Sequence, residues 1–168
     1  MIACIDVYYR LQSATVACIL FQSWTHEYII KQIMEQVKDV KPYESGNFYK
    51  RELPCILAVI SKIKEQLECI VIDGYVWLEN KQTPGLGAYL YKNLQSSIPV
   101  IGVAKSKYKR SISAQIIFRG GSKRPLYITA EGIDEKIAAG YIRKMQGPYR
   151  IPNLIKQVDR LCRCGISV

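Results

Sequence analysis

Cys69-Ile-Val-Ile-Asp73-Gly74 and, further along, Pro99-Val-Ile-Gly-Val-Ala-Lys105 frame the part of the chain that decides its fold. Each is a short, wholly apolar run without alternation, the pattern of a strand buried on both faces. Between them a loop over 75–83 leads into Pro84-Gly-Leu-Gly-Ala-Tyr-Leu-Tyr-Lys-Asn-Leu94, a predicted helix with Pro near its start. Strand, helix and strand make a βαβ unit whose crossover is expected to be right-handed.

Working outward, residues 1–9 (MIACIDVYY) and 13–22 (SATVACILFQ) are β-branched and aromatic, and predict a hairpin. Thr25 to Ile33 extends it as a third, edge strand. Residues 38–46, with Pro42 and Gly46, read as a loop. Leu53, Ile56, Leu57, Ile60, Ile63 and Leu67 then recur at helical spacing, predicting a helix through about Gln66 with Pro54 in or near its first turn. Later, strands are expected over 115–119 and 125–129 around Gly120-Gly-Ser122, and helices over 134–145 and 152–164. The whole predicts a single α/β domain over 1–168, an antiparallel meander followed by parallel strands in one mixed sheet flanked by helices.

A chain of 168 residues, 49% hydrophobic and 23% charged, suits one globular core and excludes a disordered tail or fibrous repeat. No apolar run approaches the roughly 20 residues that span a bilayer, and the first residues carry neither a basic region nor a cleavage site for secretion, so a cytoplasmic location is expected. The formal charge of +10 favours a polyanionic partner. Between Glu79 and Glu131 no acidic residue occurs, while Lys81, Lys92, Lys105, Lys107, Lys109, Arg110, Arg119, Lys123 and Arg124 do. A solvated face would explain scattered lysines, but Lys105-Ser-Lys-Tyr-Lys-Arg110 is denser and interleaves a ring, which suits phosphate contact beside a stacking base. Cys4, Cys18, Cys55 and Cys69 sit in apolar runs and are expected in the core. Cys162 and Cys164 form a C-x-C, but with His26 the sole histidine no structural zinc is expected.

In so basic a chain, acids on buried elements stand out. Period two puts Asp6 on the face of Ile2, Cys4 and Tyr8, and Asp73 on that of Cys69 and Val71. Glu52 falls on the stripe of Ile56, Val59 and Ile63, and Asp159 on the flank of Ile155 and Cys162. Singly, each has an ordinary explanation: an Asp-Gly turn, a first-turn Glu at the helix dipole, an Asp159–Arg163 pair at i+4. Together, if the strands of Asp6 and Asp73 are neighbours, they suit a hard-oxygen site for Mg²⁺, with a role in phosphodiester hydrolysis.

Asp6-Val-Tyr-Tyr9, Pro42-Tyr43, Phe48-Tyr-Lys-Arg-Glu52, Val71-Ile-Asp73-Gly74, Pro99-Val-Ile-Gly-Val-Ala-Lys105-Ser106 and Tyr149-Arg-Ile-Pro152 leading to Asp159 resemble the endonuclease V family in order and spacing. The resemblance implies a ribonuclease H-like fold and a Mg²⁺-dependent endonuclease, with Mn²⁺ as a substitute, acting on deaminated bases, chiefly inosine, in DNA or RNA. It implies cutting at the second phosphodiester bond 3′ to the lesion. It assigns Asp6, Asp73 and Glu52 to metal and catalysis, Asp159 to a place beside the metal, and Lys105 to the phosphate. It makes Tyr43 a wedge that fills the gap left by a displaced base, and sets Gly74, Gly102 and Tyr108 near the base pocket; Lys107 belongs to the same nucleic-acid-binding run.

The resemblance has departures. The family's Gly-x-x-His-Pro-Arg motif is replaced by Tyr75-Val-Trp-Leu-Glu-Asn-Lys-Gln-Thr-Pro84, its Pro-Tyr-Ile-Pro wedge by Pro42-Tyr43-Glu44-Ser45, and its late glycine-histidine pair by Ala130-Glu-Gly132. Beginning almost at its first strand, the chain is expected to carry the catalytic core without the amino-terminal helix of longer members, and to act as a monomer. The alternatives are a binding module for altered or single-stranded nucleic acid with little chemistry, and a nuclease of the same fold that selects branched structures.

Overall fold

The run Cys69-Ile-Val-Ile72 lies at the middle of the sheet, as its lack of alternation requires. The computed structural model describes residues 1–42, 44, 48–108 and 114–164. In it, β1 (Ile2–Arg10) and β2 (Ser13–Phe21) form the expected hairpin, and β3 (Lys31–Val37) pairs with β2 at the edge. Helix α1 (Phe48–Ile60) follows, then β4 (Cys69–Asp73), and then a short ribbon of β5 (Trp77–Leu78) and β6 (Thr83–Pro84). After it come α2 (Leu86–Asn93), β7 (Val100–Ala104), β8 (Gln115–Ile117), β9 (Leu126–Glu131), α3 (Glu135–Lys144) and α4 (Asn153–Cys164). The described strands form a seven-stranded sheet in the order β3-β2-β1-β4-β7-β9-β8, with β1, β4 and β7 parallel to one another and the remaining pairs antiparallel.

Period-two alternation divides the strands between two cores. On one face Ile2, Cys4, Val71, Ile101, Val103 and Ile128 pack beneath α3 and α4; on the other Ala3, Ile5, Ile70, Ile72 and Val100 pack beneath α1 and α2. Cys4, Cys18, Cys55 and Cys69 are buried, as expected. Asp134 caps α3, its Oδ1 accepting the amide hydrogens of Lys136 and Ile137.

Three expectations are corrected. The edge strand runs over Lys31–Val37 and not from Thr25, because Trp24 leaves the sheet to pack edge-on against Phe21 and flat against Tyr141. Helix α1 starts earlier and stops at Ile60, so Pro54 lies inside it; Ile63 and Leu67 reach the same core from the loop beyond, which is why helical spacing outlasts the helix. Arg119, counted with the cationic surface, is buried. Its guanidinium donates to the backbone carbonyls of Tyr149 (3.1 Å), Arg150 (3.3 Å) and Met145, and so ties down the segment that leads into α4.

Arg119→Ala leaves three carbonyls without that partner and is expected to lower stability by about 3 kcal/mol, with Arg119→Lys recovering only part because an ammonium lacks the planar fork. Urea denaturation checks this; full recovery by Lys would show that the fork is not what matters.

Candidate active site

Parallel pairing of β1 with β4 runs in register from Ile2 opposite Cys69 to Ile5 opposite Ile72. The next pair is therefore Asp6 beside Asp73. In a parallel ladder, neighbours in register point to the same face across a strand spacing of about 4.8 Å, so the two carboxylates stand side by side. Asp73 in turn neighbours Val103 of β7, and two residues later Lys105 reaches back, its Nζ 2.6 Å from Asp73 Oδ2. Asp6 Oδ1 accepts the Val7 amide hydrogen at 2.8 Å.

The other two acids arrive on helices. Glu52, on the buried stripe of α1 with Cys55, Ile56 and Val59, is only 5% exposed, and its Oε2 finds no hydrogen-bond partner among the described residues. Asp159 comes from α4 and bonds Arg163 Nε at 2.9 Å, as the i+4 spacing predicts. One carboxylate oxygen each of Asp6 and Asp159, and Cys162 Sγ, lie within 4.8 Å of one another.

Burial is the main reason Asp6 and Glu52 resist ionisation. It raises Asp6 from an ordinary 3.8 to about 7, with Asp73 adding to the rise and the Val7 amide and Lys105 opposing it. Glu52 is pushed well up by burial first and then by the charges of Asp6 and Asp73. Burial alone would lower Lys105, but the Asp73 carboxylate beside it holds the ammonium above its usual value. Two adjacent half-buried carboxylates, with a buried third that carries an orphaned oxygen, are a donor set that a divalent cation with hard oxygen preference fits: it would supply the missing partner of Glu52 and neutralise the repulsion.

A cavity of about 430 Å³ opens at this centre, lined by Asp73, Gly74 and Tyr75 on one side and by Phe48, Tyr49, Leu78, Tyr89 and Tyr108 on the others. Tyr49 and Tyr89 stack with ring centres 3.6 Å apart. Tyr75 Oη donates to the Ser106 carbonyl and accepts the Tyr108 amide hydrogen, joining the Asp-Gly turn to the loop after β7. Gly74 has φ +113°, which favours glycine. Gly102 lies beneath the turn: a Cβ there would meet Gly74 O at 2.5 Å and Val76 N at 2.8 Å. Its bareness lets Thr129, across the ladder, accept the Val76 amide hydrogen at 2.8 Å. On the α4 side a second cleft, of about 210 Å³, is lined by Lys105, Tyr149, Arg150, Lys156 and Asp159.

A family model described as Endonuclease V matches residues 1–132. The chain belongs to the endonuclease V family. The endonuclease V of Rhodospirillum centenum is 26% identical, in a match covering 66% of this chain and 54% of the relative. That of Nocardia farcinica is 24% identical, over 74% and 62%. The chain thus spans between about half and three-fifths of these curated relatives. Among solved structures, Bacillus subtilis endonuclease V superposes with a TM-score of 0.79 at 19% identity, over 97% of this chain and 79% of that one. Ciona intestinalis endonuclease V, in complex with a 24mer DNA containing an inosine followed by a ribo-adenosine, gives 0.82 at 17%, over 97% and 84%. At these identities the structural likeness is one of fold.

Within the endonuclease V fold, Asp6, Glu52, Asp73, Asp159 and Lys105 come together at one end of the parallel strands. Gly74 and Tyr108 line the cavity, Gly102 underlies it, and Lys107 is exposed beside it. Tyr43, Lys109 and Arg110 lie outside the described residues. Two departures from the family pattern meet each other: Trp77 Nε1, in the altered loop after Asp73-Gly74, donates to the carboxylate of Glu131 in Ala130-Glu-Gly132. Sequence reasoning missed the cavity walls Phe48, Tyr49 and Tyr89. Tyr49 sits three residues before Glu52 on the same helix, a spacing that could have placed it near the centre.

Two outcomes are expected. In metal-free protein Asp6 binds a proton more tightly folded than unfolded, so stability is full below pH about 4 and falls as pH rises towards 7; Asp6→Asn flattens that slope in thermal melts, and an unchanged slope would contradict the assignment. Gly102→Ala is expected to cost about 2 kcal/mol in urea denaturation by forcing the turn off Thr129, whereas a neutral result would show that the turn yields freely.

Proposed function

We propose that this chain is a divalent-metal-dependent endonuclease that hydrolyses a phosphodiester bond near a deaminated base, inosine foremost, in DNA or RNA. The observation that carries the proposal is the buried, unpartnered oxygen of Glu52, a carboxylate on which the charges of Asp6 and Asp73 both act, with the Lys105 ammonium against Asp73. Asp6, Asp73 and Glu52 would hold Mg²⁺, or Mn²⁺ in its place, with Asp159 beside them. When bound, such an ion supplies Lewis acidity and charge neutralisation for in-line displacement at phosphorus.

The remaining work falls to the chain's own groups. Lys105, fixed against Asp73, presents its ammonium to a non-bridging phosphate oxygen and offsets charge gathered there in the transition state. The aromatic cavity takes the displaced base, stacking it on tyrosine rings while the backbone around Gly74 meets its edge. Tyr43 fills the gap that the base leaves. Arg150 and Lys156, on the opposite side of the carboxylates, hold the phosphates of the continuing strand. Base and strand would thus be held on two sides of the acids, which would set a bond beyond the lesion near the carboxylates. That arrangement supports cutting at the second phosphodiester bond 3′ to the base, with 3′-hydroxyl and 5′-phosphate ends.

Labelled inosine-containing DNA and RNA should be cut with Mg²⁺ and left intact with EDTA. Asp6→Ala and Asp73→Ala should each lower the rate at least about 100-fold, the equivalent of roughly 2.7 kcal/mol of transition-state stabilisation. Metal-independent cutting, or full activity in either variant, would overturn the proposal. Tight, salt-sensitive binding without product would favour the binding-module reading instead.

A further inference from the structure

The short ribbon of β5 and β6 has a cavity on each of its faces. Leu78 and its partner Thr83 line the aromatic cavity beside Asp73, while Trp77, one residue earlier, turns to a second cavity of about 450 Å³. Pro84 and Tyr89 line both, so the two adjoin across them. None of Asp6, Glu52, Asp73 and Asp159 reaches the second cavity. Its walls are the rings of Trp77, Tyr89 and Tyr91, completed by the exposed Lys81 and Lys92 and the half-buried Glu131.

These walls are held in place from behind. Trp77 Nε1 donates to Glu131 Oε2, and Glu131 Oε1 has no hydrogen-bond partner among the described residues. Tyr91 is seated on Gly132, where a Cβ would meet its ring Cε2 at 2.7 Å. At the ribbon tip Glu79, Asn80 and Lys81 have φ of 49°, 56° and 66°, a costly run for residues other than glycine. Neither lysine forms an ion pair among the described residues, although Lys81 is near enough to Glu135 to favour its ionised form. The Trp77 bond to Glu131 is by itself a sufficient anchor for the loop. An anchor does not require three rings and two lysines around an open cavity as large as the one beside Asp73. Trp77, Glu131 and Gly132 all lie where the chain departs from the family pattern, so this cavity is built from residues of its own.

We propose that this cavity is a second nucleotide subsite, which takes the nucleotide immediately 5′ to the displaced base and prefers cytosine to uracil or thymine there. The rings stack the base, and the two lysines meet its phosphates. The free oxygen of Glu131 accepts a hydrogen from the exocyclic amino group of cytosine. Uracil and thymine present a carbonyl oxygen at the same position, which the carboxylate repels. The 5′ side follows from the layout: the cut side of the strand lies at the carboxylates, and this cavity lies across Tyr89 and Pro84 from Asp73. That placement rests on the base and strand assignments proposed above, whereas the stacking and the amino preference do not.

The test reads Trp77 fluorescence in the full chain carrying Trp24→Phe, which leaves Trp77 as the sole tryptophan. Short single strands with C or U immediately 5′ of one inosine are titrated in EDTA, where none is cut. Both should quench Trp77, with the C strand binding at least about fivefold tighter. Glu131→Gln keeps an acceptor for Trp77 but adds an amide donor, and should bring that ratio to about one or invert it. Lys92→Ala should weaken both strands alike and flatten their salt dependence. Equal quenching and discrimination by strands with adenine in place of inosine would fault the inosine reading and leave the subsite standing. No quench of Trp77, with or without strand binding by anisotropy, or equal affinity for C and U, would overturn the subsite. Cytidine monophosphate binding as tightly as the strand would overturn its placement beside the displaced base. Should Glu131→Gln fail to fold by circular dichroism, the ratio in the parent protein decides.

Discussion

The in-register parallel pairing of β1 with β4 is the constraint from which the rest of the site follows. It sets Asp6 beside Asp73 on one face of the sheet, where neither can turn away without breaking a buried strand. Burial and the neighbouring Asp73 then make ionisation of Asp6 costly, and burial with the charges of Asp6 and Asp73 does the same to Glu52, brought in from α1. Lys105 and the Val7 amide relieve part of it, as the short contacts of each show. The orphaned oxygen of Glu52 is what they leave unrelieved. A native chain keeps such an arrangement where a cation completes it, because a buried acid with no other use is replaced at a gain in stability.

Around that centre the two faces of the sheet contribute different surfaces. Helices α1 and α2 bring aromatic residues to the larger cavity, while α4 and the segment before it bring Arg150, Lys156 and Asp159 to the smaller cleft. The larger cavity is shaped by an absence: without a Cβ at Gly102, Thr129 reaches the Val76 amide and the Gly74–Val76 turn can settle close to the ladder. The cleft is held by Arg119, whose buried guanidinium gathers three backbone carbonyls before α4 begins. Trp77 and Glu131 form a comparable tie on the ribbon side. Two of the departures from the family pattern thus end in one contact, so the altered loop has an anchor of its own.

Much of this was legible in the sequence for physical reasons that can be named. Cys69–Ile72 and Val100–Ala104 are apolar without alternation, and they are the buried parallel strands. Asp6, Asp73, Glu52 and Asp159 each fell on an apolar stripe, and period and helical spacing were enough to show that their side chains point inward. What could not be read was how elements end and which side chains meet across them. Ile63 and Leu67 keep helical spacing after α1 has stopped, because a loop can fill the same core. Arg119 looks like any surface arginine until the carbonyls of a distant segment are brought to it. Cys162 looked like half of a C-x-C, and only the packing of α4 against β1 turns it toward Asp6. Long-range pairing of this kind leaves no local period to find.

The central claim is that the carboxylates of β1, β4 and α1 are arranged for one cation. The most direct measurement is anomalous diffraction from crystals of the protein grown or soaked with Mn²⁺. An anomalous peak bridging Asp6 and Asp73, with Glu52 turned to it directly or through water, is the predicted result. Crystals that take up Mn²⁺ elsewhere and leave Asp6 and Asp73 unliganded would contradict the account.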